Sequence, residues 1–357
     1  MTTQSQIDQA RLEAFGDRMI ANLSGAAATL FASVGHQTGL FDTMAQRPPC
    51  TSEELAEATG LHERYVREWL GAVTVTGIVE YDATTRTYHL PAEHAPFVTR
   101  AGGPDNLAFF AQYLRLVTHV ERDIVECFRK GGGVPYSKFP EFQVIQGEET
   151  ARVYDAALVP EILPLVPGLP ERLEQGIDAV DIGTGVGHAV NVMAKAYPNS
   201  RFTGYDLSDE GVEIGRKEAA DWGLTNARFE AVDLAHWDEP EAFDLITAFD
   251  VIHDQAWPRK VLANTEKALR PGGTYLMGDM AASSNLEENV ENPMAPLLYM
   301  FSLFHCMTVS LAQGGEGLGT VWGIQKAKEL LAEAGFTDID TKQVEGDILN
   351  VYYICQK

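Results

Sequence analysis

One run constrains this chain more than any other: Asp181-Ile182-Gly183-Thr184-Gly185-Val186-Gly187. A mostly apolar stretch, 177–182, leads into it, and an amphipathic stretch, 188–197, leads out. The pattern is that of a strand, a glycine turn and a helix start. Glycines are required where the backbone turns sharply and lies against a ligand, because a Cβ there would collide. The same run predicts that the chain around it alternates strand and helix.

That alternation is visible from residue 177 onward. Strands are predicted at 177–182, 201–205, 227–231, 243–249 and 274–278, and helices at 187–196, 209–222 and 257–268. A further helix at 324–334 precedes 338–343 and 350–355, which can pair antiparallel as a terminal hairpin-like unit. Such alternation implies an α/β fold around a parallel sheet.

The chain has 357 residues, enough for two domains. An apolar fraction of 45% with 22% charged residues supports a full globular core. The formal net charge of -24 repels phosphate backbones, so nucleic acid is not expected as a partner. Cys50, Cys127, Cys306 and Cys355 have neither metal nor disulfide spacing, which suits a reducing cytosol. The first residues, Met-Thr-Thr-Gln-Ser-Gln-Ile-Asp, show no basic region and apolar core, so no signal peptide is expected. No apolar run approaches the ~20 residues of a membrane span. A cytoplasmic protein without a membrane partner is the expectation.

Residues 1–100 read as helices followed by a small β-wing. Thr51-Ser52-Glu53-Glu54-Leu55 has the capping residue and early acids of a helix start, Gly60 ends that helix, and 62–75 forms a second. Residues 77–82 and 86–90 alternate like two strands around a turn. Helix-turn-helix plus wing is a winged-helix pattern. DNA binding would need a basic recognition helix. Residues 1–100 instead carry seven arginines, no lysine and twelve acids, and Glu63 and Glu68 offset Arg64 and Arg67. A structural or dimerisation role is expected. Residues 101–176 read as a helical linker, with helices at 106–116, 120–128 and 149–162. Between them, Gly131-Gly132-Gly133-Val134-Pro135-Tyr136-Ser137-Lys138-Phe139-Pro140 is either a lid carrying Tyr136 and Phe139 or a surface loop packed on its own aromatics. Residues 177–357 form the ligand-binding domain, with an insertion at 281–323 long enough to cap a substrate pocket.

Asp206 ends the second strand of that domain, 19 residues past Gly187, where a carboxylate can accept both hydroxyls of a ribose. Dinucleotide enzymes share that device. Three features favour S-adenosylmethionine instead. The binding domain comes last, behind helices. Asp233-Leu234 follows the third strand, where an acidic turn can bond an adenine amino group and an apolar residue can cover the ring. Leu269-Arg270-Pro271-Gly272-Gly273 then leads into the apolar fifth strand.

On these motifs the chain resembles the class I S-adenosylmethionine-dependent methyltransferases. The motif resemblance spans 177–280. With the winged-helix-like N-terminus, the whole chain is similar to the plant and bacterial small-molecule O-methyltransferases, and 304–323 resembles an actinobacterial branch of that group. The resemblance implies a Rossmann-like seven-stranded sheet behind an N-terminal helical domain, and a homodimer acting on a small-molecule acceptor. It places Asp181, Gly183, Thr184, Gly185 and Gly187 at the methionine end of the cofactor, Asp206 and Leu207 at the ribose, Asp233 and Leu234 at the adenine, and Asp250 at the cofactor's amino group or the substrate.

The resemblance also implies a His-Asp pair that holds the general base, here His253 in Asp250-Val251-Ile252-His253-Asp254. Methyl transfer is an in-line displacement at a sulfonium carbon. A phenol or alcohol acceptor is helped by a base titrating near neutral pH, as histidine does. Plant-type enzymes follow this pair with an aromatic residue and hold the histidine with acids after the fifth strand. Here Gln255 follows, and Asp279 is the nearest candidate partner. Orientation alone can carry much of the rate for such a displacement, so N- or C-methylation without a base is the alternative. The insertion's apolar Met294, Leu297, Leu298, Tyr299, Met300, Phe301, Leu303 and Phe304 are either a buried helix or dimer face, or an acceptor pocket with His305 as a second polar contact. Asp250, His253, Asp254 and His305 match no metal template, and no metal is expected. A nicotinamide oxidoreductase and a ligand-sensing winged-helix regulator are the other classes that share these features.

Overall fold

In a computed structural model of the protein, the glycine turn lies where a seven-stranded sheet reverses its winding. Residues 7–357 are described; the opening residues 1–6, read above for a targeting signal, lie outside them. The chain divides into two units, Met1–Arg115 and Leu116–Lys357.

In the first unit, α1 (Gln9–Thr38) ends on Gly39 in the left-handed region. α2 (Ser52–Thr59) begins with a capping box: Glu54 N–H donates to Thr51 Oγ1, and Thr51 N–H donates to Glu54 Oε2 at 2.8 Å. Gly60 closes it with a φ of 67°. α3 (Glu63–Val75) follows, then the wing of β1 (Glu80–Asp82) and β2 (Thr87–His89), paired antiparallel. Phe41, Leu55, Leu70 and Val73 are fully buried between these elements. On α3, Arg64 pairs with Glu68 and Arg67 with Glu63, so its exposed arginines are neutralised by its own acids. α1 exposes Leu12, Phe15, Met19, Leu23, Leu30 and Val34, a stripe at helical spacing.

The boundary between the units falls inside α4 (Leu107–His119). The second unit holds β3 (Asp178–Ile182), β4 (Arg201–Asp206), β5 (Ala227–Ala231), β6 (Phe243–Phe249), β7 (Leu269–Met280), β8 (Asp338–Lys342) and β9 (Asn350–Gln356). Their order is β5-β4-β3-β6-β7-β9-β8, and only β9 runs antiparallel to the rest. Alternate residues feed two cores: Val180, Ile182, Ile246 and Met277 pack on one face, Ala179, Leu245 and Leu276 on the other. Covering on both faces is what a parallel sheet requires. α7 (His188–Ala196), α8 (Asp209–Asp221), α9 (Pro258–Ala268) and α12 (Gly323–Glu333) match the predicted helices to within two residues.

Two elements differ from the expected bounds by five residues or more. β7 starts five residues before the predicted strand, and the ladder with β6 is broken between Phe243 and Leu245. Pro271 cannot donate a ladder bond and Gly272 has a φ of 77°, so this segment bulges. The helix predicted at 149–162 begins earlier, as α6 (Phe142–Ala157), after α5 (Glu121–Lys130). Gly147 lies within α6 and permits close approach: a Cβ there would meet Val186 Cγ2 at 3.2 Å. α6 runs on into a π-turn at Leu158–Ile162, which contains Pro160.

The insertion forms α10 (Ala295–Phe301), a π-turn (Ser302–Cys306) and α11 (Met307–Ala312) in one continuous run. At 18 residues and a mean hydropathy of 1.5, this run is long and apolar enough by composition to be weighed as a membrane span. It also carries buried Ser302, His305, Thr308 and Ser310. Ser310 donates to the Gln255 carbonyl, and Thr308 accepts from Val134 N–H, so these polar groups are committed to the fold.

Gly187→Ala is expected to lower stability by about 2 kcal/mol or more. A Cβ at a φ of 77° would collide with Phe229 and stand 3.0 Å from Gly215 Cα. Thermal denaturation against Gly185→Ala, where the same atom would meet open space, separates packing cost from backbone strain.

Candidate functional site

From β3 the chain winds outward through β4 and β5, then crosses back to β6 beside β3. The loops after β3 and β6 therefore diverge, and a crevice opens at the carboxyl ends of these strands, where α/β sheets bind ligands. The glycines of the first loop do three different things. Gly183 (φ 67°) lies against Val251 of the β6 loop, closing the base of the crevice. Gly187 (φ 77°) lets α7 approach Phe229 of β5. Gly185 (φ 57°) presents its Cα to empty space within 4 Å, which is where a ligand can lie on the backbone.

Carboxylates organise this turn. Gly185 N–H donates to Asp206 Oδ2 and Ser208 N–H to Asp206 Oδ1, both at 2.8 Å. Burial pushes the Asp206 carboxyl up, against these backbone donors. Asp181 accepts from Thr247 Oγ1 at 2.6 Å and so ties β3 to β6; burial raises its pKa to about 6. Thr184 N–H donates to the Tyr205 carbonyl. Leu207 is exposed beside Asp206. Asp233 accepts from Ala235 N–H and contacts His236 Nδ1 at 2.8 Å. Leu234 is buried in the core beside the sheet, on the short helical turn after Asp233.

At the end of β6, Asp250 adopts a φ of 58° and donates its N–H to the Gly278 carbonyl. Its Oδ1 is buried without a partner, and burial, with Asp279 nearby, raises its pKa to about 8. His253 is buried on the following turn. Its Nδ1 lies 2.9 Å from Oδ1 of Asp279, which is fully buried near the end of β7. The Trp322 indole N–H and the Met280 N–H also donate to that oxygen. Burial alone would hold the His253 pKa down; Asp279 and Cys306 outweigh it, and the pKa lies well above the usual value. Asp250, His253 and Asp279 bring one ligand atom each within 4.8 Å of one another, close enough to surround a cation, but His253 Nδ1 is already spent on Asp279.

The 131–140 loop and the insertion meet over this turn. Tyr136 donates its hydroxyl to Asp254, whose pKa burial raises to about 6. Phe139 is buried, and Gly133 packs against the backbone of Thr308 and Ala312. His305 stacks on Phe142 at 4.3 Å between ring centres, with the edges of Phe139 at 4.7 Å and Tyr136 at 5.3 Å. Burial, reinforced by the charge on His253, lowers its pKa to about 3, so it is neutral. Its Nδ1 contacts Cys306 Sγ at 3.7 Å, and its Nε2 has no partner. The two histidines singled out from the sequence thus belong to one cluster. Cys306, Phe142 and Trp322 join it unannounced. The only available signal was the polar His305-Cys306 pair inside an apolar helix.

Residues 26–100 match the family model of the Rv2258c-like winged HTH domain, and 173–335 that of a methyltransferase domain. An S-adenosyl-L-methionine-dependent Diels-Alderase from Talaromyces variabilis is 27% identical over 191 residues, 50% of this chain and 59% of that protein. A trans-aconitate 2-methyltransferase from Sinorhizobium fredii is 32% identical over 135 residues, 37% of this chain and 45% of the relative. The chain therefore spans only about half the length of these curated relatives. Human N-acetylserotonin methyltransferase, solved with S-adenosylmethionine, superposes with a TM-score of 0.70 at 19% identity, covering 99% of each chain, a likeness of fold. The chain thus joins a segment that matches the Rv2258c-like winged HTH domain to one that matches a methyltransferase domain, and shares the fold of the human enzyme solved with S-adenosylmethionine.

Proposed function

We propose that this protein transfers a methyl group from S-adenosylmethionine to an oxygen of a small, partly apolar acceptor, with the His253–Asp279 pair taking the acceptor's proton. The observation that carries this reading is the buried 2.9 Å contact between His253 and Asp279, set beside a glycine turn that leaves open space at Gly185. The cofactor supplies a methyl group on a positively charged sulfur. The residues present fit it. Both Asp206 oxygens are held by backbone donors in an orientation that leaves lone pairs for ribose hydroxyls. The unpartnered, buried Asp250 Oδ1 suits a cationic amino group, which would lower the cost of keeping that carboxyl buried. Leu207 is the exposed apolar side chain next to Asp206, and Asp233 is exposed enough to reach an adenine amino group. Asp279 orients the His253 ring and favours its protonated form once the proton has moved.

The N-terminal unit serves as a dimerisation module in this reading. The exposed stripe on α1 is the surface a second copy would cover, and the self-neutralised arginines of α3 disfavour a DNA-reading regulator. The segment 101–176 contributes the lid, fastened through Tyr136, and 281–323 the cap. All four cysteines are free, in keeping with a cytoplasmic setting.

Calorimetric titration tests the cofactor. S-adenosylhomocysteine is expected to bind in the micromolar range, NAD not at all, and Asp206→Ala to abolish the heat; preference for NAD would overturn the reading. With a phenolic acceptor, His253→Asn is expected to lower kcat by roughly 10²–10⁴-fold while S-adenosylhomocysteine still binds.

Asp250→Asn is expected to stabilise the free protein by ~1–3 kcal/mol while weakening cofactor binding. A folded pKa of about 8 against 3.8 means that the contribution of protonated Asp250 is complete below 3.8 and is lost as pH rises through 8. The gain in melting temperature should therefore be larger at pH 9 than at pH 4.

A further inference from the structure

We propose that Trp322 is a positioning residue for the methyl transfer: its indole N–H shares Asp279 Oδ1 with His253, tempers the basicity of that histidine, and ties the proton-accepting pair to the end of the insertion. The inference rests on the methyl-transfer reading above and deepens it. It gives the His253–Asp279 pair a third member that the reading does not use.

Asp279 is fully buried, and its hydrogen bonds converge on one oxygen. Oδ1 receives the Met280 N–H at 2.8 Å and the Trp322 indole N–H at 3.1 Å, and His253 Nδ1 lies 2.9 Å from it. Oδ2 is buried and has no hydrogen-bond partner. With two N–H donors already on it, Oδ1 acts as the acceptor, and His253 Nδ1 carries the hydrogen between them. The main-chain donor belongs to the residue next to Asp279, so it is present whatever side chain stands at 322. The indole is the donor that the fold brings in, from 43 residues along the chain.

Trp322 reaches that oxygen because the chain leaving the insertion is strapped to the turn after β6. Gly319 N–H donates to the His253 carbonyl at 2.9 Å, and Trp322 N–H donates to the Gly319 carbonyl at 3.0 Å. On the other side, the Ser284 hydroxyl donates to the Trp322 carbonyl at 2.6 Å, and Gly323 (φ 80°) has no room for a Cβ against the Ser284 backbone. The Trp322 side chain is buried in the core cluster that includes Ile252 and Tyr275. One short segment, 319–322, thus holds both the main chain of His253 and its carboxylate partner.

A general base must be neutral before it accepts a proton. Burial disfavours the imidazolium of His253, but Asp279 and Cys306 outweigh burial and raise its pKa. An N–H donated to Asp279 Oδ1 offsets part of that carboxylate's negative potential at the ring, and the offset is larger in a poorly solvated site. Without the indole N–H, more uncompensated charge faces His253, while the Met280 N–H still holds the carboxylate in place. The ring is then protonated over a wider pH range. With Trp322 present, Asp279 orients the base without fixing a proton on it.

The test uses the full chain without cofactor or acceptor, so its failure is distinct from failure of the methyl-transfer reading. Histidines are labelled with ¹³C at Cε1 and titrated by NMR, and the His253 signal is assigned by its loss in His253→Asn. The groups facing His253 are Asp250 and Asp254 on its own segment, Asp279 of β7, and Cys306 and His305 of the insertion; Tyr136 of the 131–140 loop faces Asp254 and His305. None of these is altered in the variants compared. Trp322→Phe, which keeps an aromatic ring and removes the donor, is expected to raise the His253 midpoint by roughly half a pH unit or more. Phe336→Leu, which removes bulk from the same core cluster and no hydrogen bond to Asp279, is expected to leave it unchanged. In the wild-type chain with its five tryptophans labelled with ¹⁵N, the Trp322 indole N–H is expected to shift through the same midpoint as His253, because the two share one oxygen. A His253 midpoint that stays or falls in Trp322→Phe would overturn the proposal. So would an equal shift in Phe336→Leu, or an indole signal that passes the His253 midpoint unmoved. Melting curves establish that each variant is folded; where Trp322→Phe is not, the wild-type indole titration decides by itself.

Discussion

The close approach of the turn after β3 to everything around it is the constraint on which the rest depends. Side chains are absent at Gly183, Gly187, Gly147 and Gly211 because Val251, Phe229, Val186 and the Gly185 carbonyl occupy the space a Cβ would take. Those contacts bring β6, β5, α6 and α8 against one short loop. Only Gly185 has no such neighbour, and its N–H is aimed at Asp206. The crevice is the place left over when a tightly packed turn omits one contact.

Around that crevice the protein buries acids at a cost. Asp181, Asp206, Asp250 and Asp254 all have their carboxyls pushed up by burial, and Asp279 is fully buried next to them. Several like charges in a poorly solvated site repel one another and favour whatever cation enters. Groups perturbed in this way, gathered in a cleft, are what a binding site demands and what a stability optimum would remove. His253 is the counter-charge supplied by the chain itself; Asp250, close to it, has no hydrogen-bond partner for its buried Oδ1.

The cap makes the site's polarity uneven. On the sheet side lie carboxylates and backbone donors. On the cap side lie Phe139, Phe142 and Tyr136 around a neutral His305. The two sides are tied by Tyr136 to Asp254 and by Ser310 to the Gln255 carbonyl. A charged cofactor and an apolar acceptor can thus be sorted to different walls before any chemistry begins.

The sequence by itself determined the sheet, the glycine turn, the helix caps and the identities of His253 and Asp279. All of these depend on local chemistry: β-branched runs, turn residues with positive φ, and short polar side chains at helix starts. It could not say that Leu234 turns inward, that α6 begins at Phe142, or that Trp322 donates to Asp279. Asp233 and Leu234 are adjacent in the chain, yet one faces solvent and the other the core, because the turn's rotation is set by packing against the sheet. His305 and His253 are separated by an entire strand and an insertion, and no periodicity links them. Only tertiary structure, by folding the insertion back over the β6 turn, decided that they share one buried cluster.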